Sequence, residues 1–352
     1  MPKPIRAAWG ARGPFRKGKG EWAGANSGVG RSPKDRSRLA HRRVAKRSHR
    51  AAMAGGCIDG GARVRAMLVS PSAMRAPFER IDPVAPETPV VVEVPHAGLE
   101  MPAPFLEPLA APARSIARDA DLYVDGLYED APAEGATLLV ARASRYVIDL
   151  NRAEGDVDAE VVEGGRADSR MQHGLVWRTT SDGERALVRR LTSTELTERL
   201  DLVWRPYHRE LSAIVERKRI RFGFAILLAA HSMPSVERGS RGAPGREPGS
   251  SGRRADVVPG SRGRKSAGAP FIAAIEDHAI AHGWSVRHDD PYAGGFTTQY
   301  YGRPAQHVHA VQLELSRRLY LDEVSLRPLA SFGAVRDWCR SLVARLGRMD
   351  AA

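Results

Sequence analysis

Five short runs, Val90–Val94, Thr137–Ala141, Tyr146–Leu150, Ala225–Ala230 and Val308–Leu315, are almost free of exposed-type polar residues. A strand with one wet face alternates apolar and polar side chains, whereas a strand buried on both faces has no such alternation. Five doubly buried strands need helices above and below them. The chain is therefore expected to be a single α/β domain with a mixed or mostly parallel sheet.

The segments between the runs carry helical patterns. "TSTELTERL" places Thr192 and Glu195 at capping-box spacing. Leu196, Leu200, Val203, Tyr207, Leu211 and Ile214 follow at helical intervals, and Pro206 should kink or split that element. A second helix fits Pro270–His282, with Gly283 placed to end it. The Gly/Ser/Pro/Arg-rich stretch 237–256 is expected to be a mobile surface loop.

The net charge of +13 suggests a nucleic-acid binder until it is located. Residues 1–66 hold 17 Lys and Arg against three acids, which accounts for the whole excess and one charge more. That stretch lacks periodic apolar residues and cannot offset its chain entropy by burial, so residues 1–80 are expected to be a disordered basic extension. It could serve as a polyelectrolyte tail for nucleic acid or anionic lipid, or imitate a transit peptide. Met67 or Met74 would be a sensible beginning for the folded part, which occupies residues 81–350. No run approaches the length of a membrane span. The two cysteines, Cys57 and Cys339, make neither a disulfide framework nor a zinc site, so a reducing, cytoplasmic setting is expected. Any metal must be held by His, Asp or Glu.

Two of the expected strands end alike, "VVVEVPHAG" in His96 and "FAILLAAHSMPS" in His231. Ligands gather at the carboxyl ends of strands in open α/β sheets, so the two imidazoles can share a metal. Each could equally cap its strand and bond a loop. "RDADLYVD" offers Asp119, Asp121 and Asp125 near the expected start of a helix, where a carboxylate either completes a His/Asp/His set or only faces the helix dipole. Val308, Ala310, Gln312 and Glu314 would lie on one face of a strand rich in Val, Leu and Ala. Burial would raise the Glu314 pKa and suit it to act as a general base, unless Arg317 or Arg318 pairs with it. Arg145, Asn151 and Arg152 flank a further run and could clamp a substrate carboxylate, or be plain solvated surface.

The order "VPHAG", "RDADLYVD", "SRYVIDLNR", "WRPYHREL", "AAHSMPS", "DVVPGSRG", "PYAGGFTTQYYGRP" and "HAVQLELSRRLYLDE" resembles the N-formylglutamate amidohydrolase (deformylase) family from about residue 89 to 323. The resemblance implies a three-layer α/β/α sandwich with a mixed sheet, similar to zinc carboxypeptidases. It implies one Zn2+ per chain, or another divalent ion, on His96, Asp121 and His231, with Asp119 in reserve. It further implies Glu314 as general base, Asn151 and Arg152 on the substrate's carboxylate, and Arg145 near the oxyanion. Gly294 and Gly295 would let the backbone approach a small N-acyl amino acid, most simply N-formyl-L-glutamate, cleaved to formate and L-glutamate as in histidine degradation.

Two stretches depart from the family pattern. "ADVVPGSRGRKSAG" stands where close deformylases carry an "LPDLNLGT"-like segment, and "DDPYAGGF" replaces an Asn-Gly-Arg-Phe context. The alternatives are a relative acting on a different N-acyl amino acid, a catalytically dead binding module, and a nucleic-acid binder led by the tail. A serine hydrolase is disfavoured by the lack of a G-x-S-x-G elbow.

Overall fold

The computed structural model describes residues 76–164, 173–236 and 252–350. Residues 1–75 of the basic extension expected over 1–80, and residues 237–251 of the mobile loop expected over 237–256, lie outside the described residues; Phe78–Arg80 belong instead to a strand, and Ala255 and Asp256 are buried. Strands β1 (Phe78–Ile81), β2 (Val90–Val94), β3 (Thr137–Ala141), β4 (Ala225–Met233), β5 (Val257–Gly260) and β6 (Val308–Ser316) form one sheet in the order β1-β3-β2-β4-β6-β5. The four inner strands run parallel, and the two edges run antiparallel to their neighbours.

Every residue of β2, β3, β4 and β6 is buried, which explains their unbroken apolar texture. Alternate residues feed two separate cores. Val90, Val92, Val94, Leu138, Val140, Ile226, Leu228 and Leu313 pack with α2 (Val124–Leu127), α5 (Ala269–Ala281) and α7 (Phe332–Gly347). Val91, Leu139, Leu227 and Ala310 pack on the other face with Val203, Tyr207, Leu211 and Ile214. The molecule is a three-layer α/β/α sandwich around a mixed sheet. Each fully buried Leu or Val contributes roughly 1.5–3 kcal/mol, so two filled faces fix the strand parity firmly.

The capping box forms as expected: Thr192 Oγ1 accepts from Glu195 N at 3.2 Å and Glu195 Oε2 accepts from Thr192 N at 2.8 Å, opening α3 (Ser193–Arg199). The split expected at Pro206 is a π turn over Leu200–Trp204, where Arg205 N donates five residues back to Leu200 O. Pro206 has no N–H to give Leu202, and the wider turn absorbs the missing bond. The helix resumes as α4 (Arg205–Phe222). The expected second helix is α5, and Gly283 follows it at φ 83°.

Two expectations are corrected. Tyr146–Leu150 is not a strand; it is a buried turn, with Val147 N bonded to Ser144 O and Asp149 N to Leu175 O. Its apolar pattern comes from wrapping a buried carboxylate, Asp149, rather than from pairing. Of the 119–125 aspartates only Asp125 stands in the first turn of a helix, the four-residue α2. α1 (Ala113–Asp119) ends at Asp119, and Asp121 sits in the bend before α2, with its N–H on His96 O at 3.0 Å. The edge strands went unforeseen: β1 is half exposed, and β5 is short and carries Pro259, as suits an edge.

Candidate metal centre and active site

The carboxyl ends of β2, β4 and β6 open into a cavity of about 590 Å³. His96 stands just beyond β2, and His231 lies near the end of β4. His231 and Glu314 are register partners on parallel neighbours, so both side chains emerge on the same side of the sheet. Asp121 is brought to the histidines by its amide bond to His96 O. The ligating atoms of His96, Asp121 and His231 all lie within 4.8 Å of one another, and all three residues are buried.

Within this cluster the atoms are sorted. Asp121 Oδ1 accepts from Arg317 Nη2 at 3.3 Å and from Ser232 Oγ at 3.4 Å. Its Oδ2 faces His231 Nδ1 at 3.0 Å and His96 Nδ1 at 3.5 Å. His96 Nε2 points the other way, to Asp149 Oδ1 at 2.8 Å. An ionised carboxylate only accepts, so Nε2 carries a proton towards Asp149, and Nδ1 is the ring nitrogen turned towards Asp121. Burial alone would raise the Asp121 pKa, but the two imidazoles hold it well below the carboxylate range. Two imidazole nitrogens and one carboxylate oxygen converging from a buried wall are a donor set that fits zinc with three protein ligands.

Asp149 carries the largest share of the supporting bonds. Besides His96 it accepts from Arg145 Nη2 at 2.7 Å, Trp177 Nε1 at 3.0 Å and Asn151 N at 2.9 Å. Burial would raise its pKa, yet Arg145 and then His96 keep it well below the usual carboxylate value. Arg145 also donates to Asp119 O at 3.1 Å and lies over the Trp177 ring at 4.3 Å.

Glu314 is buried beside the cluster and accepts from Gln312 Nε2 at 2.9 Å. Burial pushes its carboxyl up to about 7; His231 opposes the rise and the Asp121 charge adds to it. Neither arginine weighed as its partner takes that place. Arg317 is committed to Asp121, Ser232 Oγ, Ala120 O and Arg118 O, while Arg318 pairs with Asp256.

Asn151 lies under the cavity with both ends of its amide engaged inward. Oδ1 accepts from Thr297 N at 3.0 Å and Thr297 Oγ1 at 3.1 Å, and Nδ2 donates to Gln312 Oε1 at 3.1 Å. It therefore braces the wall beneath Arg152, whose Nε is held by His173 O at 2.8 Å. Helix α4 and its π turn steady this stretch, as Trp204 Nε1 donates to Arg152 O at 3.0 Å and His208 Nε2 to Leu150 O at 2.9 Å. Burial pushes the His208 imidazole down to about 3, so it is neutral and donates from Nε2. Gly294 and Gly295 both line the cavity. At Gly295 a Cβ would lie 2.4 Å from Asn151 Nδ2, so the close approach that requires glycine there is to Asn151.

All the candidate residues except Asp125, which lies beside Arg142, thus line one cavity, with Asp119 supporting Arg145 and Tyr146 rather than joining the histidines. Sequence reasoning assigned no role to Asp149, Gln312 or Trp177, and it considered Arg317 only as a partner of Glu314. The signal for Asp149 was present, since an acid inside an apolar run is the same clue that singled out Glu314.

Comparison with known proteins points one way. The family model for N-formylglutamate amidohydrolase matches residues 88–321. An N-formylglutamate deformylase of Pseudomonas aeruginosa is 33% identical over 262 residues, covering 73% of this chain and 91% of that one. Its namesake in Pseudomonas putida is 34% identical over 238 residues, covering 67% and 82%. A crystal structure of N-formylglutamate amidohydrolase from Ralstonia eutropha JMP134 superposes with a TM-score of 0.70 at 30% identity, over 78% of this chain and 98% of that chain.

Proposed function

Because the chain belongs to the N-formylglutamate amidohydrolase family, we propose that this cavity hydrolyses the amide bond of an N-acyl amino acid, with N-formyl-L-glutamate the first candidate. The observation that carries this reading is the pairing of two functions across one register step. His231 belongs to the His96/Asp121/His231 donor set, and its partner on β6 is the buried carboxyl of Glu314.

His96, Asp121 and His231 would hold a zinc ion, which supplies Lewis acidity that polarises an amide carbonyl and acidifies water. Glu314 takes a proton from the attacking water and passes it to the leaving amine nitrogen, a role suited to a carboxyl raised towards neutrality. Arg145 adds positive charge to the wall facing the developing oxyanion while its pair with Asp149 fixes its orientation. Arg152, with no carboxylate partner among the described residues, takes the substrate's α-carboxylate. Asn151 and Gln312 hold that wall in register with Glu314.

The products would be formate and L-glutamate, which suits the last step of a histidine-degradation route. A reducing, cytoplasmic setting belongs to the same reading. No helix among the described residues is long and apolar enough to cross a membrane.

Formate release from N-formyl-L-glutamate by wild type and Glu314→Gln, with metal content measured on both, tests the reading. Turnover by the wild type, and a variant that keeps its metal but loses at least about a hundredfold in rate, is the expected result. A metal-free protein that zinc cannot reconstitute would sink it.

A further inference from the structure

Six arginines line the cavity, and they fall into two sets. Arg118, Arg145 and Arg317 are each paired with an acid, namely Asp182, Asp149 and Asp121. Arg152, Arg254 and Arg262 have no carboxylate partner among the described residues. Each is steadied by one backbone carbonyl: His173 O for Arg152, Pro234 O at 3.2 Å for Arg254, and Gly294 O at 3.2 Å for Arg262. Oriented but unneutralised guanidinium groups facing a cavity are an anion-binding device.

Arg262 is the most elaborately held of the three. It lies in the turn after β5, where Arg262, Gly263 and Arg264 take φ values of 57°, 71° and 61° in succession. Residues with side chains rarely adopt the left-handed region, so Arg262 and Arg264 on either side of Gly263 need fixed surroundings. The surroundings are specific. Asp289 accepts from Ser261 N at 2.7 Å and from Gly263 N at 2.5 Å. Arg262 N donates to Ala293 O at 2.7 Å. Ser261 Oγ accepts from Arg264 N at 3.1 Å and meets His288 Nε2 at 2.7 Å, while His288 Nδ1 meets Glu276 Oε1 at 2.8 Å. Ser261, His288 and Glu276 have the connectivity of a hydrolytic triad, but Ser261 is wholly buried and its hydroxyl serves the turn. The arrangement anchors a loop that presents Arg262.

We propose that Arg262 is a specificity-determining residue that binds a second anionic group on the substrate, a carboxylate at the end of the amino-acid side chain. This rests on the reading of the cavity as an N-acyl amino acid hydrolase in which Arg152 takes the α-carboxylate.

The test compares formate release from N-formyl-L-glutamate and its neutral isostere N-formyl-L-glutamine by zinc-loaded wild type, Arg262→Gln and Arg262→Lys. A charge-assisted contact predicts a wild-type preference for the acid of about tenfold to a hundredfold in kcat/KM. Arg262→Gln should abolish that preference through a higher KM for the acid, with the glutamine substrate changed by no more than about twofold. Arg262→Lys should restore part of it. A wild-type preference that persists in Arg262→Gln would overturn the inference alone, and so would an equal fall in kcat on both substrates. Failure of the wild type to release formate from either compound would overturn the functional reading and this inference with it.

Discussion

His96 and Asp149 are joined by a 2.8 Å contact that turns the imidazole, placing Nδ1 beside Asp121 and Nε2 on a carboxylate. Such an outer partner fixes the tautomer of a ligating histidine and raises its basicity, and its loss commonly weakens metal binding about tenfold to a hundredfold. Asp149→Asn keeps the shape but loses the charge, so zinc affinity in a competition titration should fall by that factor. Unchanged affinity would mean that Asp149 serves only Arg145.

Arg317 makes four bonds from a buried position, to Ser232 Oγ, Arg118 O, Ala120 O and Asp121 Oδ1. Truncation would leave two carbonyls unpartnered and strip the buried Asp121 carboxylate of its guanidinium, and breaking a buried pair from one side costs about 3–5 kcal/mol. Arg317→Ala should therefore unfold at clearly lower denaturant, with the largest deficit in chelator. A variant as stable as the wild type would refute this account of the Asp121 bend.

Glu93 is wholly buried in β2, accepts from Tyr207 Oη at 3.0 Å, and has its other oxygen unpartnered. Burial pushes its carboxyl up to about 8, against hydrogen bonds that lower it. The folded chain thus keeps a proton that the unfolded chain sheds at an ordinary carboxyl pKa. Glu93 favours folding fully at acid pH and loses that contribution as pH rises to about 8, by at most about 1.4 kcal/mol per pH unit. Glu93→Gln should flatten this dependence, and its unfolding midpoint should gain on the wild type between pH 5 and pH 9. Parallel profiles for the two proteins would count against a neutral Glu93.

Metal should stabilise the fold as well as support turnover, because only the folded chain brings His96, Asp121 and His231 together. Free zinc at a hundred times its dissociation constant adds about 2.7 kcal/mol. Chelation should lower the thermal midpoint and stop formate release, and added zinc should restore both. A midpoint indifferent to chelator would argue against a preformed three-ligand site.

The inner strands were legible because burial on both faces leaves a direct mark on composition, and β2, β3, β4 and β6 all follow it. Tyr146–Leu150 carries the same mark for another reason. A segment wrapped around a buried Asp149 must also be apolar, and local pattern does not distinguish a carboxylate's packing shell from a sheet. Among the site residues, His96 and His231 showed at strand ends and Glu314 as an acid among aliphatics. The choice of Asp121 over Asp119 came from the family resemblance. It depends in space on the amide bond to His96 O and on Arg317, which no spacing rule encodes. The partition of the arginines was equally hidden, since neutralisation by an acid distant in sequence is a tertiary fact.

The parallel register of β4 and β6, which sets His231 opposite Glu314, also determines which kinds of genetic accident this chain can survive. Replacing a side chain within either strand changes packing by degrees. Deleting one codon upstream of the histidine within β4 would turn every later side chain of that strand to the opposite layer. Imidazole and carboxyl would then point into different halves of the molecule. Drift within these two strands is therefore confined to substitution, and length variation belongs to the turns beyond their ends.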